Sequence, residues 1–140
     1  MTETSLVKGL DHVAAVVYDI DKSLEYLVDV LGLRVVHAET LSNPPVRLVY
    51  LDLKNTFLQL VQPTGDSSIA DHLKERGEGL HHVGFATDDI SRCLVSLPGE
   101  ANQNVFRGGM GVRASFLANQ PAGILVELIQ GHDLYDLSPE

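Results

Sequence analysis

The first patterned stretch, Leu10–Val17 (LDHVAAVV), is apolar and rich in β-branched residues, which predicts a strand. In the following DIDKSLEYLVDVLG the period changes. Leu24, Leu27, Val28 and Leu31 recur at helical spacing, with Asp19 or Asp21 as the N-cap and Gly32 just past the end. Arg34–Thr40, Val46–Leu53 and Thr56–Gln62 then read as strands, and GDSSIADHLKERG as a capped linking helix ending at Gly77. A second series follows: a strand at Leu80–Ala86, a short helix over Ile90–Leu97 stopped by Pro98–Gly99, and strands around Asn104–Phe106, Arg113–Leu117 and Ile124–Ile129.

Both series have the order βαβββ, and the residues agree as well as the elements. LDHVAAVVYDIDKSL lies over LHHVGFATDDISRCL at a shift of 70, with Leu, His, Val, Asp, Ile and Leu coinciding. VRLVYLDL from Val46 resembles VRASFLAN from Val112, and NTFLQLVQP from Asn55 lies over GILVELIQG from Gly123. Two copies of this length suit a duplicated module inside one domain better than a solenoid. The expected organisation is one domain over 1–140, with module one at about 8–64, a linking helix at about 65–77, module two at about 78–131 and a tail at 132–140.

Four polar side chains interrupt strands that otherwise read as buried, and the repeat relates them in pairs: His12 with His82, and Gln59 with Glu127. A lone strand histidine is more often a hydrogen-bonded core residue than a ligand, and Gln59 or Glu127 alone could lie at an edge or face solvent. The paired recurrence changes that balance. Two imidazoles and two oxygens form a ligand set for one divalent ion such as Co, Ni, Zn, Mn or Fe.

Strand alternation puts His12 on a face with Ala14 and Val16, and His82 on a face with Gly84 and Ala86, where small neighbours leave room for an ion and a ligand. Val13, Val17, Val83 and Phe85 are left to pack on the helices. His81 points the other way, and its repeat counterpart is Asp11, so it is expected at the surface, as are His37, His72 and His132. Cys93 stands where module one has Ser23 and reads as a small core filler. Arg47 and Arg113 are repeat-equivalent, and both surface pairing and substrate contact fit them. The tail GHDLYDLSPE fits either a partner subunit's surface or disorder.

Composition narrows the partners. A formal net charge of −9 leaves no clustered cationic surface for nucleic acid. No apolar run approaches the ~20 residues of a membrane span, and the start MTETSLVKGL lacks a signal-peptide core. Cys93 is the only cysteine, so no intrachain disulfide forms. These features predict a soluble, acidic, cytoplasmic protein that binds a small molecule.

The duplicated pattern with His12, Gln59, His82 and Glu127 resembles the vicinal oxygen chelate superfamily, which includes glyoxalase I, extradiol dioxygenases, fosfomycin-resistance proteins and methylmalonyl-CoA epimerases. It is most similar to the epimerase branch, through LDHVAAVVYDIDKSLEYLVDVLGL, NTFLQLVQPTGDSSIADHLKERGEGLHHVGF and GILVELIQ, over about Leu10 to Gln130. The resemblance implies an α+β fold in which the two modules form an open, cup-shaped mixed sheet around the ion. It also implies a homodimer and a substrate, such as an acyl-CoA, that chelates the ion through two oxygens. The implied reaction passes through a metal-stabilised enolate, with Glu127 as a catalytic carboxylate.

Two segments depart from the branch. Epimerases carry a proton-transferring glutamate in a segment written like PEQGV; here it is LSNPPV, with Asn43, and an amide cannot take the proton. FLANQPAG, Phe116 to Gly123, replaces a loop resembling HPKSTGG and lacks its lysine. Alternatives therefore stay open: a glyoxalase-type lyase, an Fe(II) dioxygenase built on His12, His82 and Glu127, or a non-catalytic small-molecule binding protein of the same fold.

Overall fold

The computed structural model describes residues 5–131; the expectations for His132 and the tail at 132–140 lie outside the described residues. Elements follow the repeat: β1 (Gly9–Val16), α1 (Ile20–Leu27), β2 (Arg34–Ser42), β3 (Pro45–Asp52), β4 (Phe57–Pro63), α2 (Ser68–Arg76), β5 (Gly79–Thr87), α3 (Ile90–Ser96), β6 (Phe106–Arg107), β7 (Arg113–Phe116) and β8 (Val126–Gln130). The fold is α+β, made of two βαβββ modules with a mixed sheet: β5 and β8 are parallel, while β2–β3, β3–β4, β6–β7 and β7–β8 are antiparallel. Among the described residues no helix is long and apolar enough to cross a membrane.

The duplication extends to how each helix is started. Asp19 caps α1 by accepting from Lys22 N, and Asp89 caps α3 by accepting from Arg92 N. Asp21, the other candidate, instead pairs with Arg47 at 3.0 Å. The side chain of Gln62, from the end of β4, accepts the N–H of Ile20 at 2.8 Å, and Gln130, from the end of β8, accepts that of Ile90 at 2.8 Å. Each helix therefore has its first turn tied to the last strand of its own module. Arg113 donates to Ser91 Oγ as Arg47 does to Asp21, so both arginines serve the helix side of their strands.

The described residues divide into two compact units, one of residues 13–81 and one of residues 5–12 with 82–131. In the first the strand order is β2-β3-β4 followed by the later part of β1; in the second it is β5-β8-β7-β6. The opening of β1 belongs to the second unit, where Lys8 N donates to Ala86 O at 2.8 Å. This differs from the sequence modules at one strand, and it carries His12 into the unit that holds His82. Each unit has its own core. Val17, Ile20, Val49, Leu51 and Leu60 pack together in one, and Ile90, Cys93, Leu94, Val126 and Leu128 in the other.

Some expectations shift. The apolar stripe of α1 ends at Val28, because the chain leaves the helix through Gly32 at φ +77°, and Leu31 lies exposed. The strand expected around Asn104 forms at Phe106–Arg107. His37, His72 and His81 are half-buried rather than surface residues. His37 Nε2 lies 2.9 Å from Glu39 Oε1, and the His72 and His81 rings meet edge to face at 4.7 Å. Asn43 occupies the β2–β3 turn, ahead of a cis bond to Pro44.

Candidate metal centre

Three strands of the second unit deliver the polar side chains. His12 comes from β1, His82 from β5 and Glu127 from β8, where parallel register sets Glu127 beside Gly84. All three are buried, at 1%, 8% and 7% exposure, although two are potential cations and one is an acid. Burial at that level requires partners, and these residues find them in one another. His12 Nε2 and His82 Nε2 are 3.2 Å apart, and each lies 3.2 Å from Glu127 Oε1.

That geometry fits a bound ion. Donor atoms held about 2.0–2.1 Å from one transition ion sit about 3 Å from each other. Two imidazoles and a carboxylate are the nitrogen–oxygen mixture such ions take. Among the described residues this is the group of three or more histidines, cysteines and acids that could hold a metal.

The positions of the rings are tightly constrained. Gly84 lies so close to His12 that a Cβ there would come within 2.3 Å of His12 Cε1 and 2.5 Å of Nδ1. The rings of His82 and Phe116 meet edge to face at 5.1 Å and 90°, and Phe106 stacks on Phe116 at 5.8 Å. Phe116 is also the β7 partner of Glu127, so an aromatic wall flanks the carboxylate.

Gln59 belongs to the other unit. It is buried on β4 and donates its amide nitrogen to the Tyr50 hydroxyl at 2.8 Å, which orients the side chain and leaves Oε1 as the ligand-type atom.

Two features went unread in the sequence. Asp11 Oδ2 sits 2.8 Å from His12 Nδ1, and both side chains are buried. Strand alternation directs Asp11 away from the His12 face, so the pattern gave no reason to join them. Glu100, 1% exposed, accepts from Ala118 N at 2.8 Å and Asn119 N at 3.0 Å and so clamps the FLANQPAG loop. The Ala118 N–H above all holds its carboxyl down at about 2. A glutamate in a loop sequence carries no mark of either contact.

The cluster also has a charge pattern of its own. Burial works against a charged His12 ring, but the carboxylates of Asp11 and Glu127 outweigh it and raise the pKa to about 9. Burial likewise disfavours the Glu127 anion, and the two imidazoles overcome it and lower the carboxyl to about 2. A raised histidine stabilises the fold fully below its ordinary 6.5, and that stability is lost as pH rises through about 9. A lowered carboxyl stabilises above its ordinary 4.5, and that is lost as pH falls through about 2. Metal-free protein is therefore expected to be most stable between those ordinary values and to melt at falling temperature from pH 6.5 to 9. Melting followed by circular dichroism in chelator checks this, and a flat profile over that range would contradict it.

A buried two-histidine, one-carboxylate cluster on a duplicated βαβββ scaffold defines a class of protein. The chain belongs to the glyoxalase/bleomycin resistance protein/dioxygenase superfamily, whose sequence profile matches residues 11–101. Within it, the chain is similar to the mitochondrial methylmalonyl-CoA epimerase of Homo sapiens, 34% identical over 128 residues, covering 86% of this chain and 73% of that protein. It is also similar to the uncharacterized protein YqjC of Bacillus subtilis (strain 168), 31% identical over 127 residues, covering 86% of this chain and 91% of that one. The solved methylmalonyl-CoA epimerase of Mycobacterium tuberculosis superposes with a TM-score of 0.83 at 29% identity, covering 99% of this chain and 97% of that one. These likenesses support an epimerase-like function.

Proposed function

We propose that this chain is a metal-dependent epimerase acting at the carbon next to a thioester carbonyl, on an acyl-CoA of the methylmalonyl type, with the ion held by His12, Gln59, His82 and Glu127. The observation that carries the reading is the mutual 3.2 Å spacing of His12 Nε2, His82 Nε2 and Glu127 Oε1 in a buried site. Gln59 is included through the repeat, as the counterpart of Glu127. When bound, a divalent ion with one anionic ligand keeps net positive charge and supplies Lewis acidity toward a carbonyl oxygen.

The protein's own residues do the rest. The imidazoles and amide are neutral donors, so Glu127 is the one anion among the four. Its carboxylate is the group able to accept the proton leaving the α-carbon and to return it. Phe116, stacked on Phe106, lies beside the carboxylate across the β7–β8 pair. Asn43 contributes no proton acceptor, so inversion in this chain needs a second acceptor elsewhere or a single carboxylate serving both faces. The protein would work as a homodimer in the cytoplasm.

Incubating metal-loaded protein with methylmalonyl-CoA in deuterated water is expected to place deuterium at the α-carbon, and Glu127→Gln to suppress it by about two orders of magnitude or more. No wash-in by loaded wild-type protein would reject the reading. The triad is also the donor set of a non-haem Fe(II) site, so oxygen uptake with a catechol by iron-loaded protein would favour the dioxygenase alternative.

A further inference from the structure

We propose that Asp11 is a positioning residue that sets the orientation of His12 for the ion, so that only Nε2 is offered to it. This rests on the reading of the cluster as a metal site.

Asp11 is 2% exposed and sits on the β1 face shared with Val13, Ala15 and Val17, of which Ala15 and Val17 pack into an apolar core. A carboxylate buried there without a strong partner would cost several kcal/mol. The ring next to it in sequence is such a partner: Oδ2 lies 2.8 Å from His12 Nδ1, the length of a charge-assisted hydrogen bond. Neighbouring strand residues ordinarily diverge, so this contact means that the imidazole and carboxylate bend toward each other at the edge of the cluster.

The duplication provides the control that shows what the pair is for. At the position equivalent to Asp11, module two has His81 in place of an acid, half-buried and with its ring against His72. Module two nevertheless builds the same strand, the same helix cap and the same helix-to-strand tie. The βαβββ unit therefore folds without an acid at this place, and its presence in module one calls for another explanation.

The ring of His12 supplies it. The Gly84 backbone closes off one side of the ring, and Asp11 holds Nδ1. The remaining nitrogen, Nε2, lies 3.2 Å from both Glu127 Oε1 and His82 Nε2. A carboxylate on Nδ1 keeps the proton there and the lone pair on Nε2, which fixes the ring and strengthens it as a donor. The ring of His82 meets Phe116, and that of His12 is held by Asp11.

The test uses the full chain and metal alone. Metal-free wild type, Asp11→Leu and Asp11→Asn are titrated with Zn2+ and with Co2+, and the visible bands of the cobalt forms are recorded beside melting curves of the metal-free proteins. Asp11→Leu, similar in size with no acceptor, is expected to weaken both metals by about 10–100-fold and to shift the cobalt bands. Asp11→Asn keeps an acceptor for Nδ1–H and is expected to lose only a few-fold. A purely structural role would move the melting curve and leave the cobalt bands in place. Wild-type affinity and bands in Asp11→Leu would overturn the inference while the metal site stands. If Asp11→Leu does not fold, Asp11→Asn decides: no loss of affinity overturns it. A wild type that takes up neither metal overturns the site itself.

Discussion

Gly84→Ala is expected to cripple the site more severely than its size suggests, with metal affinity falling at least 100-fold. The added methyl would lie 2.3, 2.5 and 2.9 Å from Cε1, Nδ1 and Nε2 of His12, closer than side-chain carbons approach other atoms. The ring has nowhere to go, being buried at 1% exposure and held by Asp11 at 2.8 Å. Either the ring swings away from His82 and Glu127, or β1 and β5 part to make room. Forcing such an overlap into a packed interior costs about 1–3 kcal/mol. The metal-free melting temperature should therefore fall by several degrees, and calorimetric metal titration should show the larger loss. Gly84→Ala with wild-type metal affinity would mean that His12 is not held where the structure places it.

Glu127→Gln is expected to abolish tight metal binding and to flatten the pH dependence of the metal-free protein. The amide is nearly isosteric, so packing against Phe116 survives, but the single anion of the cluster is gone. Removing one partner of a buried charged pair costs about 3–5 kcal/mol when the other stays charged. Here the imidazole of His12 can shed its proton instead, which keeps the cost below that range. Without the Glu127 carboxylate, a main support of the raised His12 pKa is lost. The fall in melting temperature between pH 6.5 and 9 should shrink accordingly. Retention of the full wild-type pH profile would place the charge of His12 in other hands, those of Asp11 alone.

Much of this was written in the chain. Periodicity and caps placed the starts of α1 and α3 and most strands within a residue or two, because the alternation at β1 and β5 and the aspartates ahead of Ile20 and Ile90 act through neighbours in sequence. The repeat did more than any single motif. Pairing His12 with His82 selected those two from six histidines, and alternation then turned His81, whose repeat counterpart is Asp11, to the other face. Local logic failed where an element's end depends on its surroundings. Leu31 keeps the helical spacing but lies beyond the helix, and β6 is reduced to the two residues, Phe106 and Arg107, that pair with β7.

The sequence by itself determined the duplicated βαβββ order, the helix caps and the identity of His12, His82 and Glu127 as a group, since each follows from short-range periodicity or from comparing one half of the chain with the other. Only the tertiary structure decided that β1 opens inside the second unit, that Asp11 bends onto His12, that Gly84 lies against its ring and that Glu100 clamps a distant loop. These are contacts between residues whose spacing carries no period, or whose alternation points them apart. They are fixed by strand register and by the need of buried charge to find a partner, which a linear pattern does not encode.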